Sequence, residues 1–399
     1  MTPTSRRFLS FAATAAILLL PCAKDAFAQR AGRGTVQGPS GNSQIASPQA
    51  PRGPGLSILP LADPDQFTNA EKLAPKSVPT GTPGVSSLKG GPDRSADETP
   101  FAYGTSTAPY TTVRVAVTRR GNSSTTANTP VTSYPFRATG KLYFQKGGST
   151  YVCTASLIKK GVLVTAAHCV FDFGKRTTGW YSNFVWCPAN TTSSGGVYGC
   201  YTGVAPRITT PYYNGSDTCT QTGVVCNNDV ATLLVRRKNG KFAGEVVGWY
   251  RYAWNGYSYR ASTFLGNVVT VQITQLGYPV AFDSGYQMQR TDAVGWYYRS
   301  GNLKNTQIGS AQTGGSSGGP WLVNLGTRPS VSSSASLGSR YVQAVVGVTS
   351  YGSTLVGYNR LGASFFGQNK EYPGTYGSYG RGNIGILVRD TCTAYPAFC

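Results

Sequence analysis

Gly161-Val162-Leu163-Val164-Thr165-Ala166-Ala167-His168-Cys169 reads as a short buried strand that ends on a histidine. Branched apolar side chains in an unbroken run suit a pleated surface covered on both faces. A histidine at the end of so rigid an element has its ring oriented by packing, which favours proton transfer. His168 is the only histidine of the chain, so any chemistry that needs an imidazole falls on it. Alone, it would read as structural. A second stretch, Gly314-Gly315-Ser316-Ser317-Gly318-Gly319-Pro320, changes the weighting. As a glycine–serine run it could be a linker, but Pro320-Trp321-Leu322-Val323 follows as a buried strand, which a linker does not need. A nucleophilic serine requires backbone N–H groups aimed at one point beside its hydroxyl, and glycines permit the tight turn that arranges them.

Around these two stretches the chain has the texture of an all-β protein. Apolar or alternating runs recur at Thr112–Thr118, Lys141–Gln145, Tyr151–Ile158, Val162–Thr165, Val230–Val235, Val268–Leu276, Tyr341–Thr349 and Ile384–Val388, each read as a strand. Gly, Asn, Ser and Pro clusters separate them. About 300 residues of this kind, 101–399, exceed one small barrel and fit two packed barrels. The expected limits are about 105–245 for the first and 246–391 for the second, with no convincing internal repeat in the sequence.

The N-terminus points to export. Arg6-Arg7, an apolar run from Phe8 to Leu20, and Ala26-Phe27-Ala28 follow the order of a secretory signal peptide, taken as residues 1–28. The run is too short for a stable membrane anchor. Residues 29–100 are rich in Pro, Gly, Ser and Ala and are expected to be a disordered pro-region or linker, because they offer little apolar surface to offset the entropy of ordering. Setting aside Cys22 in the signal leaves eight cysteines, an even number that implies a disulfide framework in an exported chain. Pairing of sequence neighbours (153–169, 187–200, 219–226, 392–399) closes the shortest loops. No C-x-x-C pair occurs and the one histidine is needed elsewhere, so no metal and no cofactor is expected.

The net charge of +21 arises from 36 basic and 15 acidic residues. The charges are scattered, no recognition helix or aromatic RNA-binding strand stands out, and no specific nucleic-acid partner is expected. The basic surface suits association with an anionic cell envelope.

Thr165–Cys169 and Gly315–Pro320 together resemble the histidine and serine motifs of the chymotrypsin-like (trypsin-like) serine peptidases, bacterial secreted type. The resemblance covers roughly residues 110–390. It implies two packed six-stranded antiparallel β-barrels with the active site between them, and a secreted or periplasmic endopeptidase acting on proteins or peptides through an acyl-enzyme. It implies His168 as base, Ser317 as nucleophile, the N–H groups of Gly315 and Ser317 as oxyanion hole, and a Cys153–Cys169 disulfide clamping the histidine loop. The family's aspartate lies between histidine and serine in the chain. Asp229, which opens Asp-Val-Ala-Thr-Leu-Leu-Val ahead of a buried strand, fits that place better than Asp172, Asp217, Asp283 or Asp292. With His168 starting neutral, activity is expected to fall in acid.

The chain departs from the family at Ser316, where many members carry an aspartate that pairs with a newly cut N-terminal amine. The resemblance assigns the primary substrate pocket to Ala311, Gln312 and the wall Thr349, Ser350, Tyr351 and Gly352. Ala311 stands where preference for Lys or Arg would require an acid, and Gln312 and Thr349 suggest a polar or acidic preference. Two competing readings are an inactive binding scaffold, which should have lost a triad member, and an esterase with a G-x-S-x-G elbow, whose serine would precede its histidine in the chain.

Overall fold

Successive side chains of a strand point to opposite faces, and the buried residues sort accordingly. Leu163 belongs to one apolar cluster, with Leu142, Leu157, Trp186 and Leu233, while its neighbours Val162 and Val164 belong to another, with Leu276, Leu322 and Val345. Trp321 and Val323 join a third, with Ile273, Ile308 and Leu361. Two clusters are barrel interiors, and the second lies between the barrels. The computed structural model describes residues 34–38, 57–58, 108–117, 130–218, 227–254, 260–262, 268–300, 303–326, 343–352, 359–367 and 382–399. All belong to one compact unit, Arg33–Cys399. The expected signal peptide, Cys22, most of residues 29–100 and the Cys219–Cys226 pair lie outside the described residues.

The first barrel consists of β1 (Thr139–Lys146), β2 (Ser149–Lys159), β3 (Val162–Thr165), β4 (Ser182–Pro188), β5 (Tyr201–Thr209) and β6 (Ala231–Val235). Antiparallel pairing runs β1–β2–β3–β6–β5–β4 and returns to β1, so the sheet closes. The second barrel consists of β7 (Val268–Gly277), β8 (Gln289–Ser300), β9 (Leu303–Gly309), β10 (Pro320–Val323), β11 (Ala344–Gly352) and β12 (Arg360–Phe365). Its pairing, β7–β8–β9–β12–β11–β10 and back to β7, has the same topology. Two closed six-stranded antiparallel barrels are therefore present, as expected. They repeat in connectivity without repeating in sequence.

Three expectations need correction. Ile384–Val388 is part of a helix, Asn383–Ala394, not a strand. A short run of Ile, Gly, Leu and Val is compatible with either period. Here Ile384, Leu387, Val388 and Thr391 form one buried helical face, and Thr391 Oγ1 lies 2.8 Å from Thr232 Oγ1 of β6. Second, the chain ends are exchanged. The strand expected at Thr112–Thr118 in the first barrel runs from Tyr110 to Arg114 and pairs with Gln289–Ala293 of β8, while the C-terminal helix sits on the first barrel. Third, residues within the expected disordered segment are ordered. Thr35–Gln37 pairs antiparallel with Arg207–Thr209 of β5, at an edge that β4 has already left, and Thr35 Oγ1 donates to Asp390 of the C-terminal helix at 2.7 Å. Covering an open edge satisfies its backbone groups.

Candidate active site

β3 and β6 bring His168 and Asp229 together. Their register sets Thr165 opposite Ala231, so the residue two before Ala231 meets the turn just after Thr165. That turn, Ala167–Cys169, is a single 3₁₀ turn closed by Cys169 N–H on the Ala166 carbonyl at 3.1 Å. The Cys153–Cys169 disulfide ties it to β2. The Asp229 carboxylate accepts three hydrogen bonds: from His168 N–H at 2.9 Å on Oδ1, and from His168 Nδ1 at 2.7 Å and the Ser350 hydroxyl at 2.6 Å on Oδ2. Burial alone would raise its pKa, but the charge and hydrogen bonds of His168 and the bond from Ser350 outweigh it, and the carboxyl is held below its ordinary value. Because Asp229 only accepts, Nδ1 carries the proton and Nε2 is left as the acceptor. The acid is thus fixed as an anion and the imidazole in one tautomer.

Ser317 lies in the turn that leads into β10. Gly318 (φ +78°) packs so closely on β3 that a Cβ there would stand 2.0 Å from Thr165 Oγ1 and 2.4 Å from the Thr154 carbonyl. Only a glycine lets the serine turn reach the histidine-bearing strand. Thr154 N–H on the Ser317 carbonyl at 2.8 Å closes the contact. A trans peptide points its C=O and N–H in opposite directions, and this orients the turn's donors. Val280 N–H holds the Gly314 carbonyl at 2.8 Å, so the Gly315 N–H faces away from it. Gly319 N–H holds the Ser316 carbonyl at 2.8 Å and does the same for the Ser317 N–H. Among the described residues neither of these N–H groups has an acceptor. Ser317 Oγ and His168 Nε2 are likewise buried without a hydrogen-bond partner; such contacts commonly tighten only when substrate binds. Ser316 closes the turn locally, its hydroxyl donating to the Thr313 carbonyl at 2.7 Å, with no charge involved.

The expected pocket residues divide. Ala311 is half-buried and uncharged. The two acids described in the second barrel, Asp283 and Asp292, are engaged by Arg114 and Arg290. Thr349 does not face a pocket: its hydroxyl bonds Gln275 Nε2 at 2.8 Å, Trp321 Nε1 at 3.0 Å and the Gly319 carbonyl at 3.3 Å. Gln312 is also turned into the wall, with Nε2 3.2 Å from Thr291 Oγ1 and Oε1 toward Gly277. The polar preference expected from those two side chains therefore has no basis there. Ser350, expected as pocket wall, spends its hydroxyl on Asp229. Tyr351 lays its ring on Gly362, across β11 and β12, and Gly352 follows it at the end of β11. Sequence reading missed Thr154, whose only signal was its place beside Cys153.

Among the described residues one group of side chains has metal-ligand spacing, Cys153, His168 and Cys169. Its two sulfurs are bonded to each other and so offer no thiolate, and His168 Nδ1 is taken by Asp229. The donor set does not fit a metal. Among the described residues two further disulfides, Cys187–Cys200 and Cys392–Cys399, join sequence neighbours as expected.

No family model matches the chain. It is 32% identical over 134 residues to an extracellular metalloprotease of Bacillus subtilis, covering 33% of this chain and 38% of that protein. It is 26% identical over 251 residues to a glutamyl endopeptidase of Bacillus licheniformis, covering 61% of this chain and 65% of that protein. The chain thus spans less than two thirds of the length of either curated relative. Among solved structures, protease Anisep from Arthrobacter nicotinovorans matches 63% of this chain and 95% of its own, with 22% identity and a TM-score of 0.44. A Glu endopeptidase matches 71% and 96%, with 17% identity and a TM-score of 0.42. The two closed six-stranded antiparallel barrels have the architecture of the chymotrypsin-like fold, and the histidine, aspartate and serine of the site follow one another along the chain in that order.

Proposed function

We propose that the chain is an exported serine endopeptidase in which Ser317, His168 and Asp229 act as a triad. Ser317 Oγ attacks the scissile carbonyl carbon as His168 Nε2 takes its proton. The negative charge that develops on the carbonyl oxygen is met by the N–H groups of Gly315 and Ser317. The C–N bond then breaks as His168 returns the proton to the leaving amine, and water repeats the sequence to release the acyl group. The observation that carries this reading is the buried carboxylate 2.7 Å from His168 Nδ1, ionised and triply hydrogen-bonded. An inactive scaffold has no reason to keep that arrangement together with a buried, unpaired serine hydroxyl on the turn that packs against the histidine strand. Among the described residues no helix is long and apolar enough to cross a membrane. Residues 1–28 serve as the export signal, and the net charge of +21, all but +2 of it outside those residues, suits the released protein to an anionic envelope.

A fluorophosphonate probe tests the proposal. The purified protein is expected to take one label, mapped by mass spectrometry to Ser317, and Ser317→Ala is expected to take none. A folded protein that stays unlabelled, or a label elsewhere, would overturn it. With a neutral Ala311 and both neighbouring acids engaged, a peptide library is expected to show no preference for Lys or Arg before the cleaved bond. Ser350→Ala removes one charge-assisted bond from Asp229, worth roughly 1.5–3 kcal/mol. Part of this is recovered by the remaining two bonds, so labelling is expected to slow by about tenfold, and an unchanged rate would remove Ser350 from the site.

A further inference from the structure

Lys141 is a lysine with no exposed surface. It lies on β1 next to Leu142, whose side chain fills the first barrel, so Lys141 points outward, to the second barrel. Its ammonium has no carboxylate partner among the described residues. It donates to the Gly285 carbonyl at 2.7 Å and lies 4.6 Å and 5.3 Å from the ring centres of Tyr286 and Tyr143. Burying an unpaired ammonium is costly, and what it holds is specific.

Gly285 ends a segment that starts at Tyr278 and cradles the oxyanion turn. Tyr278 O would stand 2.6 Å from a Cβ on Gly315, and Val280 Cγ2 3.1 Å. Val280 N–H holds the Gly314 carbonyl, the bond that aims the Gly315 N–H. Asp283 and Ser284, at φ +49° and +51°, sit in the left-handed region that non-glycine residues avoid, so the segment needs outside support to keep its shape. The first barrel supplies it at both ends. Thr154, directly opposite Lys141 in the β1–β2 register, accepts from Tyr278 N–H at 3.0 Å and donates to the Gly315 carbonyl at 2.9 Å. Lys141 holds the other end.

We propose that Lys141 is a positioning residue for the oxyanion hole: its ammonium pins the Tyr278–Gly285 segment of the second barrel against the Gly314–Gly315 turn. This rests on the peptidase reading above. The titratable groups that face the ammonium are Tyr143 on its own strand and Tyr286, the residue just after the segment. The nearby Asp283 carboxylate is taken by Arg114 and Gln289. Burial lowers the Lys141 pKa to about 8, so the pin loses its charge in mildly alkaline solution. An unfolded lysine keeps its proton to about 10.5, so between about 8 and 10.5 the unfolded state binds more protons and stability rises with pH. The oxyanion hole loosens over the same range. Fold stability and chemistry thus move in opposite directions, which a merely structural lysine would not produce.

The test uses the full chain, Lys141→Met and Lys141→Gln, reading melting temperature and saturation kinetics of fluorophosphonate labelling from about pH 6 to 10. The maximal labelling rate of the wild type is expected to fall above about pH 8. Both variants are expected to label about tenfold more slowly, at unchanged half-saturating probe concentration and with no alkaline fall. Variants that melt like the wild type and share its rate and pH profile would overturn the proposal. If neither variant folds, the wild type decides: a maximal rate that holds steady from pH 8 to 10 also overturns it. A folded wild type that takes no label at any pH removes the peptidase reading itself, and this inference with it.

Discussion

An Asp229→Asn variant is expected to fold and bind substrate as the wild type does, yet to turn it over about 10⁴-fold more slowly. The carboxylate only accepts, and it accepts from three donors, His168 N–H, His168 Nδ1–H and the Ser350 hydroxyl. An amide of the same shape can keep one of these faces. If its oxygen stays on the His168 N–H, its NH₂ faces Nδ1, which must then become an acceptor. The ring proton moves to Nε2, and Nε2 can no longer take the proton of Ser317. The Ser350 hydroxyl can rotate to accept from the new NH₂, so the packing survives and the loss falls on the chemical step. Steady-state kinetics on a peptide substrate, with circular dichroism to confirm folding, checks this. A variant that retains a tenth of the wild-type kcat would remove Asp229 from the triad.

Gly318→Ala is expected to be the most damaging single-methyl change. The new Cβ would meet Thr165 Oγ1 at 2.0 Å, the Thr154 carbonyl at 2.4 Å and Ala166 N at 2.8 Å. Two of the three are backbone atoms of β2 and of the residue after β3, which cannot swing aside. The φ of +78° adds a cost of roughly 1–2 kcal/mol for an L side chain. Relief therefore requires the serine turn to separate from the histidine strand. A loss of about 4 kcal/mol or more in urea-induced unfolding is expected, at the far end of single-substitution effects, with little activity left. Gly147→Ala separates the two contributions: its φ is +56° but nothing lies within 4 Å of its Cβ, so only the backbone cost applies. If both variants lose the same small amount, the close approach at Gly318 is not what holds the two motifs together.

Much of this site was legible from residue type and order. His168 ends a strand recognisable by its unbroken apolar run, and Asp229 precedes another. The competing aspartates prove to have other employment: Asp172 lies 3.4 Å from Lys146, Asp217 accepts Asn227 N–H, and Asp283 and Asp292 pair with arginines. The sequence places Ser350 near the site but not its hydroxyl on Asp229. Its neighbours in sequence do not tell whether its hydroxyl faces a pocket or a carboxylate of the other barrel.

Local pattern carries period and polarity, because an element must place its apolar side chains on one or both faces to be buried at all. The sequence alone therefore determined that the chain is built of strands, that a rigid one delivers His168, and that glycines surround Ser317. Which surface each face meets depends on residues far away in the chain. Long-range packing alone decides that Ile384–Val388 coils into a helix against β6, that Tyr110–Arg114 joins the second barrel, and that Lys141 and Thr154 reach across to the Gly285 and Gly315 carbonyls. Those outcomes come from burial and hydrogen bonds between segments more than a hundred residues apart, and no local window contains both partners.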